Sequence, residues 1–149
     1  MRINRADNKG AAMVEFAIVA LLLVTLVFGI IEFGLLIKDY LTLSQAAREG
    51  ARSAALRSGV STVTERVQQS AVGLPEEQRD DITVTPSYRV FTSGSGWGAW
   101  IDNALPDPSA DVEAQVKVKA TYYHQTIVGS LVGLGSSVKL SGDMVMRRE

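Results

Sequence analysis

Residues 16–31 run without a charge between two carboxylates, Glu15 and Glu32. At ~1.5 Å rise per residue this stretch makes a helix of roughly 24 Å. Adding Ala11 to its start and Ile37 to its end brings it to a bilayer-spanning length. No Pro interrupts the chain from Phe33 to Leu56, where Leu, Ala, Gln and Arg dominate, so the same helix is predicted to continue into water as one rod. Along it Tyr40, Leu43, Ala47, Gly50 and Ala54 recur at alternating steps of three and four and share one side. That stripe narrows from large to small side chains, which suits close packing against a second helix or against the chain's own sheet. Arg48, Glu49 and Arg52 lie off the stripe, toward solvent.

Ser58-Gly59 is predicted to end the rod, with Gly at a natural C-cap and Arg57 in the last turn, where a cation suits the helix dipole. A second, shorter helix is expected over 62–72, since Val63, Val67 and Ala71 recur every four residues and Ser61 or Thr62 can cap its start. Gly73-Leu74-Pro75 stops it, and the acidic stretch 76–81 reads as a solvated connector. The pattern then changes period. Ile82-Thr83-Val84-Thr85 alternates apolar with polar, and Pro86 fits only at the end of a strand or on an edge strand. Tyr88-Arg89-Val90-Phe91 either extends that strand or pairs as a separate one. The strongest strand pattern spans 112–123, with Val112, Ala114, Val116, Val118, Ala120 and Tyr122 on one face and Glu113, Gln115, Lys117, Lys119 and Thr121 on the other. Residues 138–146 repeat it, with Leu140, Met144 and Met146 in phase and Gly142 as a bulge candidate. The expected fold class is α+β: a long N-terminal transmembrane and amphipathic helix, a small antiparallel sheet of three to four strands covered by it, and one further short helix.

The 149 residues carry 15 basic and 16 acidic side chains, one His and no Cys. With a membrane helix subtracted, roughly 110 residues remain, enough for one small domain. The near-neutral balance leaves no electrostatic footprint for nucleic acid. Absence of Cys removes disulfides, thiol catalysis and the usual structural zinc sites. His124 lacks a second His or a Cys and reads as a surface or packing residue. No Walker loop is present to hold nucleotide, and no catalytic constellation is visible, so the chain reads as a non-enzyme without cofactor or metal. Asp102, Asn103, Asp107 and Asp111 offer oxygen ligands, but their spacing departs from the calcium-loop pattern and they read as solvated. Trp97 and Trp100 flank a Gly- and Ser-rich loop, where they either contact a partner or pin the loop to the domain. The apolar stretch 127–134 is too short to span a bilayer and reads as a buried turn or a subunit contact.

Arg2, Arg5 and Lys9 against Asp7 place the N-terminal tail in the cytoplasm by the positive-inside rule and everything after Lys38 outside it. A cleavable secretory signal expects an Ala-x-Ala-like site after the apolar core, whereas Ile30-Ile31-Glu32-Phe33 follows here. Glu15 asks for a reason, because a carboxylate in a membrane segment costs about 2.5 to 3.5 kcal/mol at the bilayer centre and less toward its edge.

Lys9-Gly10-Ala11-Ala12-Met13-Val14-Glu15-Phe16 supplies that reason by resemblance. Together with Ile31-Glu32-Phe33-Gly34, Ala46-Ala47-Arg48-Glu49-Gly50-Ala51-Arg52 and the closing Met146-Arg147-Arg148-Glu149, it resembles a TadE-like pseudopilin, a minor subunit of tight-adherence (Flp, type IVc) pili. The resemblance implies cleavage by a prepilin peptidase after Gly10, a new N-terminus at Ala11, and recognition and assembly roles for Glu15 and Phe16. It also implies a leader at 1–10, a transmembrane helix at 11–37, its exported continuation at 38–57 and an exported pilin-like domain at 58–149. The partners implied are other Tad pilins and pseudopilins in a hetero-oligomer, the peptidase, an inner-membrane assembly platform and membrane lipid. Flp major pilins are much shorter, so the resemblance points to a minor pilin acting in assembly, priming or adhesion. The competing class is a single-pass, signal-anchored protein whose exported binding or adhesion domain never enters a filament.

Overall fold

A computed structural model describes residues 5–129, 133 and 135–148, with side chains from Gly10 onward. Arg2, the side chains of Arg5 and Lys9, half of the apolar stretch 127–134 and Glu149 lie outside the described residues. One helix, α1 (Arg5–Ala55), carries the whole apolar run and continues past it without a break. Its 51 residues give a rod of roughly 76 Å. Over residues 10–31 no side chain is buried. The segment has a mean hydropathy of 2.8 in its most apolar window, and it is long and apolar enough to cross a membrane.

The rod ends at Ala55, ahead of the expected stop at Ser58-Gly59, and by a different device. Arg57, at φ 66°, takes the left-handed position, with its N–H donating to the Ala54 carbonyl at 3.2 Å and the Ser58 N–H donating to the Ser53 carbonyl at 3.3 Å. These two bonds form a Schellman cap around an arginine rather than a glycine. Gly59 instead lies at φ −72° as the residue before α2 (Val60–Ser70). Neither Ser61 nor Thr62 caps that helix, whose start has no side-chain cap and falls earlier than the period of Val63 and Val67 suggested. The acidic connector is not irregular: α3 (Glu76–Arg79) forms one turn after Pro75. Pro before the first turn and two Glu within it are what a short helix start favours.

Five strands complete the fold: β1 (Thr83–Thr92), β2 (Gly96–Trp97), β3 (Ile101–Asp102), β4 (Ala114–Gln125) and β5 (Ser137–Arg147). All pair antiparallel in the order β2-β1-β4-β5, with β3 also pairing β1. Tyr88 to Phe91 extends the first strand, and Pro86 sits inside it opposite Val118. That position is tolerated because β1 has only one neighbour there, β3 beginning to pair at Ser87. Val112 lies before β4 and is exposed, whereas Ala114, Val116, Val118, Ala120 and Tyr122 all face the core.

The core is a sandwich of α1 and α2 on the inner face of the sheet, built from Leu43, Ala47, Ala51, Val63, Val67 and Val118 among others. Two glycines set how closely the layers approach. A Cβ on Gly50 would collide with Val67 and lie 3.1 Å from Val118. One on Gly142 would come within 2.8 Å of the Ser44 backbone and 2.9 Å of that of Leu43. Gly142 is therefore not a bulge; it pairs in regular register with Ala120 and lets the α1 backbone rest on β5. Since Gly50 lies over Val118 and Asp39 meets His124, β4 runs antiparallel to α1 and returns toward its apolar half.

Candidate functional site

Gly10, Ala11 and Glu15 stand exposed on the first turns of the described helix, and Phe16 is among the most exposed apolar side chains. Glu15 makes no hydrogen bond or ion pair among the described residues, and none of those residues supplies a counter-charge for a carboxylate in apolar surroundings.

The other carboxylate bounding the apolar run behaves differently. Glu32 is 1 % exposed, Asp39 5 % and His124 7 %, although all three are ionisable. Glu32 and Asp39 are seven residues apart, two turns of helix, and so lie on the same face of α1. His124 follows Ala120 and Tyr122 on the inward phase of β4. Its Nδ1 lies 2.7 Å from Asp39 Oδ2 and its Nε2 3.3 Å from Glu32 Oε1. Both ring nitrogens of His124 thus face a carboxylate, and the imidazole bridges the two acidic side chains of α1. Glu32 also accepts the backbone N–H groups of Ile127, at 3.0 Å, and Val128, at 3.2 Å, tying down the segment that follows β4. Among the described residues Asp39 Oδ1 has no hydrogen-bond partner, and it forms an ion pair with Lys38 Nζ at 3.4 Å.

A cavity of about 280 Å³ opens beside this cluster, lined by Leu35, Lys38, Asp39, Gln78, Tyr122 and His124. The Tyr122 hydroxyl donates to Gln78 Oε1 at 2.7 Å. Burial pushes the Tyr122 phenol above its usual range, and the charges of Asp39 and Asp81 push the same way. The arrangement holds the sheet to the helix at the point where the apolar run ends. Sequence reasoning read His124 as a surface or packing residue and Glu32 as an edge marker. The missed signal was the pair of carboxylates at two-turn spacing, facing a strand on which His124 is in phase with the core residues.

Of the helix stripe, Leu43, Ala47, Gly50 and Ala54 are buried within the chain's own core, while Tyr40 is half exposed. Trp97 and Trp100 are partly covered and organised by cations. The Arg89 guanidinium lies 5.3 Å from the Trp97 ring centre and 4.7 Å from that of Trp100, and Lys117 Nζ lies 4.5 Å from Trp100. Phe91 meets Trp97 edge-on at 5.4 Å. These contacts lay the loop onto the sheet. The loop oxygens are dispersed: Asp102 accepts the Ser87 hydroxyl at 2.7 Å, Asp111 faces Arg57 at 3.7 Å, and Asn103 adopts φ 57°. Asp107 accepts both the hydroxyl and the N–H of Ser109, bonds that hold its carboxyl below the usual range. No group of three ionisable ligands is placed to hold a metal ion among the described residues.

The family model described as TadE-like protein matches residues 10–52. That span begins at Gly10, includes Glu15, Glu32 and Asp39, and stops three residues short of the end of α1, so the sheet lies outside it. No curated protein and no solved structure matches the chain.

Proposed function

From a membrane-length helix whose residues 10–52 are TadE-like, and which is thereby associated with Tad pilus systems, we propose that this chain is a processed minor pilin. In this reading a prepilin peptidase cuts between Gly10 and Ala11. The new ammonium at Ala11 then stands about one turn from Glu15. It pairs with Glu15 of a neighbouring subunit in a bundle of apolar helices, offsetting the cost of holding that carboxylate there. The domain built on residues 32–148 serves assembly, priming or adhesion at the outer face of the membrane.

The observation that carries the reading is the contrast between the two carboxylates. Glu32 is satisfied inside the chain, while among the described residues Glu15 has no partner and nothing covers the helix from which it projects. An uncovered apolar helix with an unpaired carboxylate is incomplete alone in lipid and is completed by other helices. The test is N-terminal sequencing of membrane-extracted protein made with and without its cognate prepilin peptidase. A start at Ala11 only in the presence of the peptidase is expected. An unprocessed N-terminus under both conditions would replace the proposal with a permanent signal anchor carrying an exported binding domain.

A further inference from the structure

The sheet returns to the membrane-length helix at one point, and what it brings there is apolar. β4 ends at Gln125, and the residues after it lie beside the end of the apolar run, because Glu32 accepts the Ile127 N–H at 3.0 Å and the Val128 N–H at 3.2 Å. Ile127 is 70 % exposed there, and it borders the same cavity as Leu35 and Lys38. On α1 itself Ile30 and Ile31, just before Glu32, are exposed as well. The apolar surface of the helix therefore continues onto the start of the β4–β5 connection.

Charge is withdrawn from this end of the domain. Between Glu15 and Lys38 the one charged residue of α1 is Glu32, which is 1 % exposed, and the sequence has no charged residue between Gln125 and Lys139. Polar backbone is withdrawn too. The Thr126 N–H donates to the Ser136 carbonyl at 3.1 Å and its hydroxyl to the Gly135 carbonyl at 2.7 Å, while Glu32 takes the amides of Ile127 and Val128. An amide already bonded within the protein loses little on leaving water, which is the condition for seating backbone at the edge of a bilayer. Lengths agree with such a seat. Residues 11–31 make about 31 Å of helix, against a hydrocarbon core of about 30 Å. Lys38, half exposed, follows Glu32 by about 9 Å along α1, close to the depth of one headgroup layer, where a lysine reaches lipid phosphate.

We propose that Ile127 and Val128 seat in the lipid leaflet on the domain's side, beside α1, so that the hydrocarbon boundary lies at Glu32 and the domain rests directly on the membrane. The partner is the boundary between acyl chains and headgroups. Two points of the fold, α1 and the end of β4, then touch lipid together, which fixes the side of the helix on which the domain leans toward the bilayer. The inference requires only that α1 crosses a bilayer, so cleavage at Gly10 and entry into a filament play no part in its test.

Because the chain has no cysteine, single cysteines can carry a polarity-sensitive fluorophore to chosen sites. The whole chain with Ile127→Cys, Leu22→Cys or Ile101→Cys is labelled and reconstituted into phosphatidylcholine vesicles with and without brominated acyl chains. Leu22 lies in the apolar run, whereas Ile101 is an exposed residue in register, through Tyr88, with Val116, roughly 36 Å along β4 from Ile127. The label at 127 is expected to emit at shorter wavelength than the one at 101, to lose intensity to brominated lipid as the one at 22 does, and to be shielded from aqueous iodide. Thermal melting of each labelled chain checks that it is folded, and Val128→Cys supplies the same readings if the Ile127 variant is not. Quenching by brominated lipid at 22 but not at 127 would overturn the proposal while leaving α1 a membrane helix. Quenching at neither site would overturn it together with the membrane reading. A label at 127 shielded from both iodide and brominated lipid would put protein rather than lipid on this surface, and would overturn it as well.

Discussion

Three ionisable residues decide how this domain sits on its helix. His124 stands between Glu32 and Asp39, and removing it takes from both buried carboxylates the imidazole they share. Breaking a buried ion pair from one side is far more damaging than replacing the whole pair with apolar groups. His124→Ala is expected to lower the melting temperature by roughly 10 °C, read by circular dichroism in detergent, with a smaller loss when Glu32 and Asp39 are also made Gln and Asn. Tyr122 gives a second residue-level expectation. Its phenol is raised above the ordinary range, so the folded state holds that proton more tightly than the unfolded chain. The stability it contributes is complete below about pH 10 and is lost as pH rises through the raised value. Phenolate absorbance should show a late-titrating tyrosine that vanishes in Tyr122→Phe. Little of this cluster was legible in the sequence, because the partners of His124 lie 85 and 92 residues away. Periodicity reports which way a residue faces, but not what it meets.

At the scale of elements the sequence was more informative, and its failures have identifiable causes. The long helix and the β4 strand follow from sustained periods of 3.6 and 2, which are cooperative over many residues. Caps depend on single residues, and there the reading missed: the helix stops at Ala55, so Arg57 rather than Gly59 takes the left-handed position. Gly142 was a bulge candidate on pattern alone, since a strand glycine marks either a bulge or a close approach. Only the α1 backbone lying against β5 distinguishes the two. Gly142→Ala is accordingly expected to cost about 1–3 kcal/mol, because the clash is with main chain that cannot rotate away. Chemical denaturation should show a lower midpoint for Gly142→Ala, whereas Gly34→Ala, which meets no neighbouring atom and gains helix propensity, should not lower it.

The whole molecule is one helix used twice. Its first half is bare and apolar, and its second half is the spine of an α+β domain that begins at Glu32. A chain starting at Ile31 retains every buried contact described and should fold with a melting temperature within a few degrees of the full chain, as a monodisperse species by light scattering. A chain starting at Tyr40 loses Glu32 and Asp39 and should melt much earlier. The antiparallel run of β4 along α1 also bears on mechanical load. Tension drawn along the helix axis meets the domain in shear, because strand and helix lie alongside each other from Asp39 to Gly50. The contacts then resist together instead of peeling one at a time, and Glu32, clamped to the Ile127 and Val128 amides, is the first to feel a pull from the membrane side. A rod drawn out of a bilayer would carry its domain with it intact.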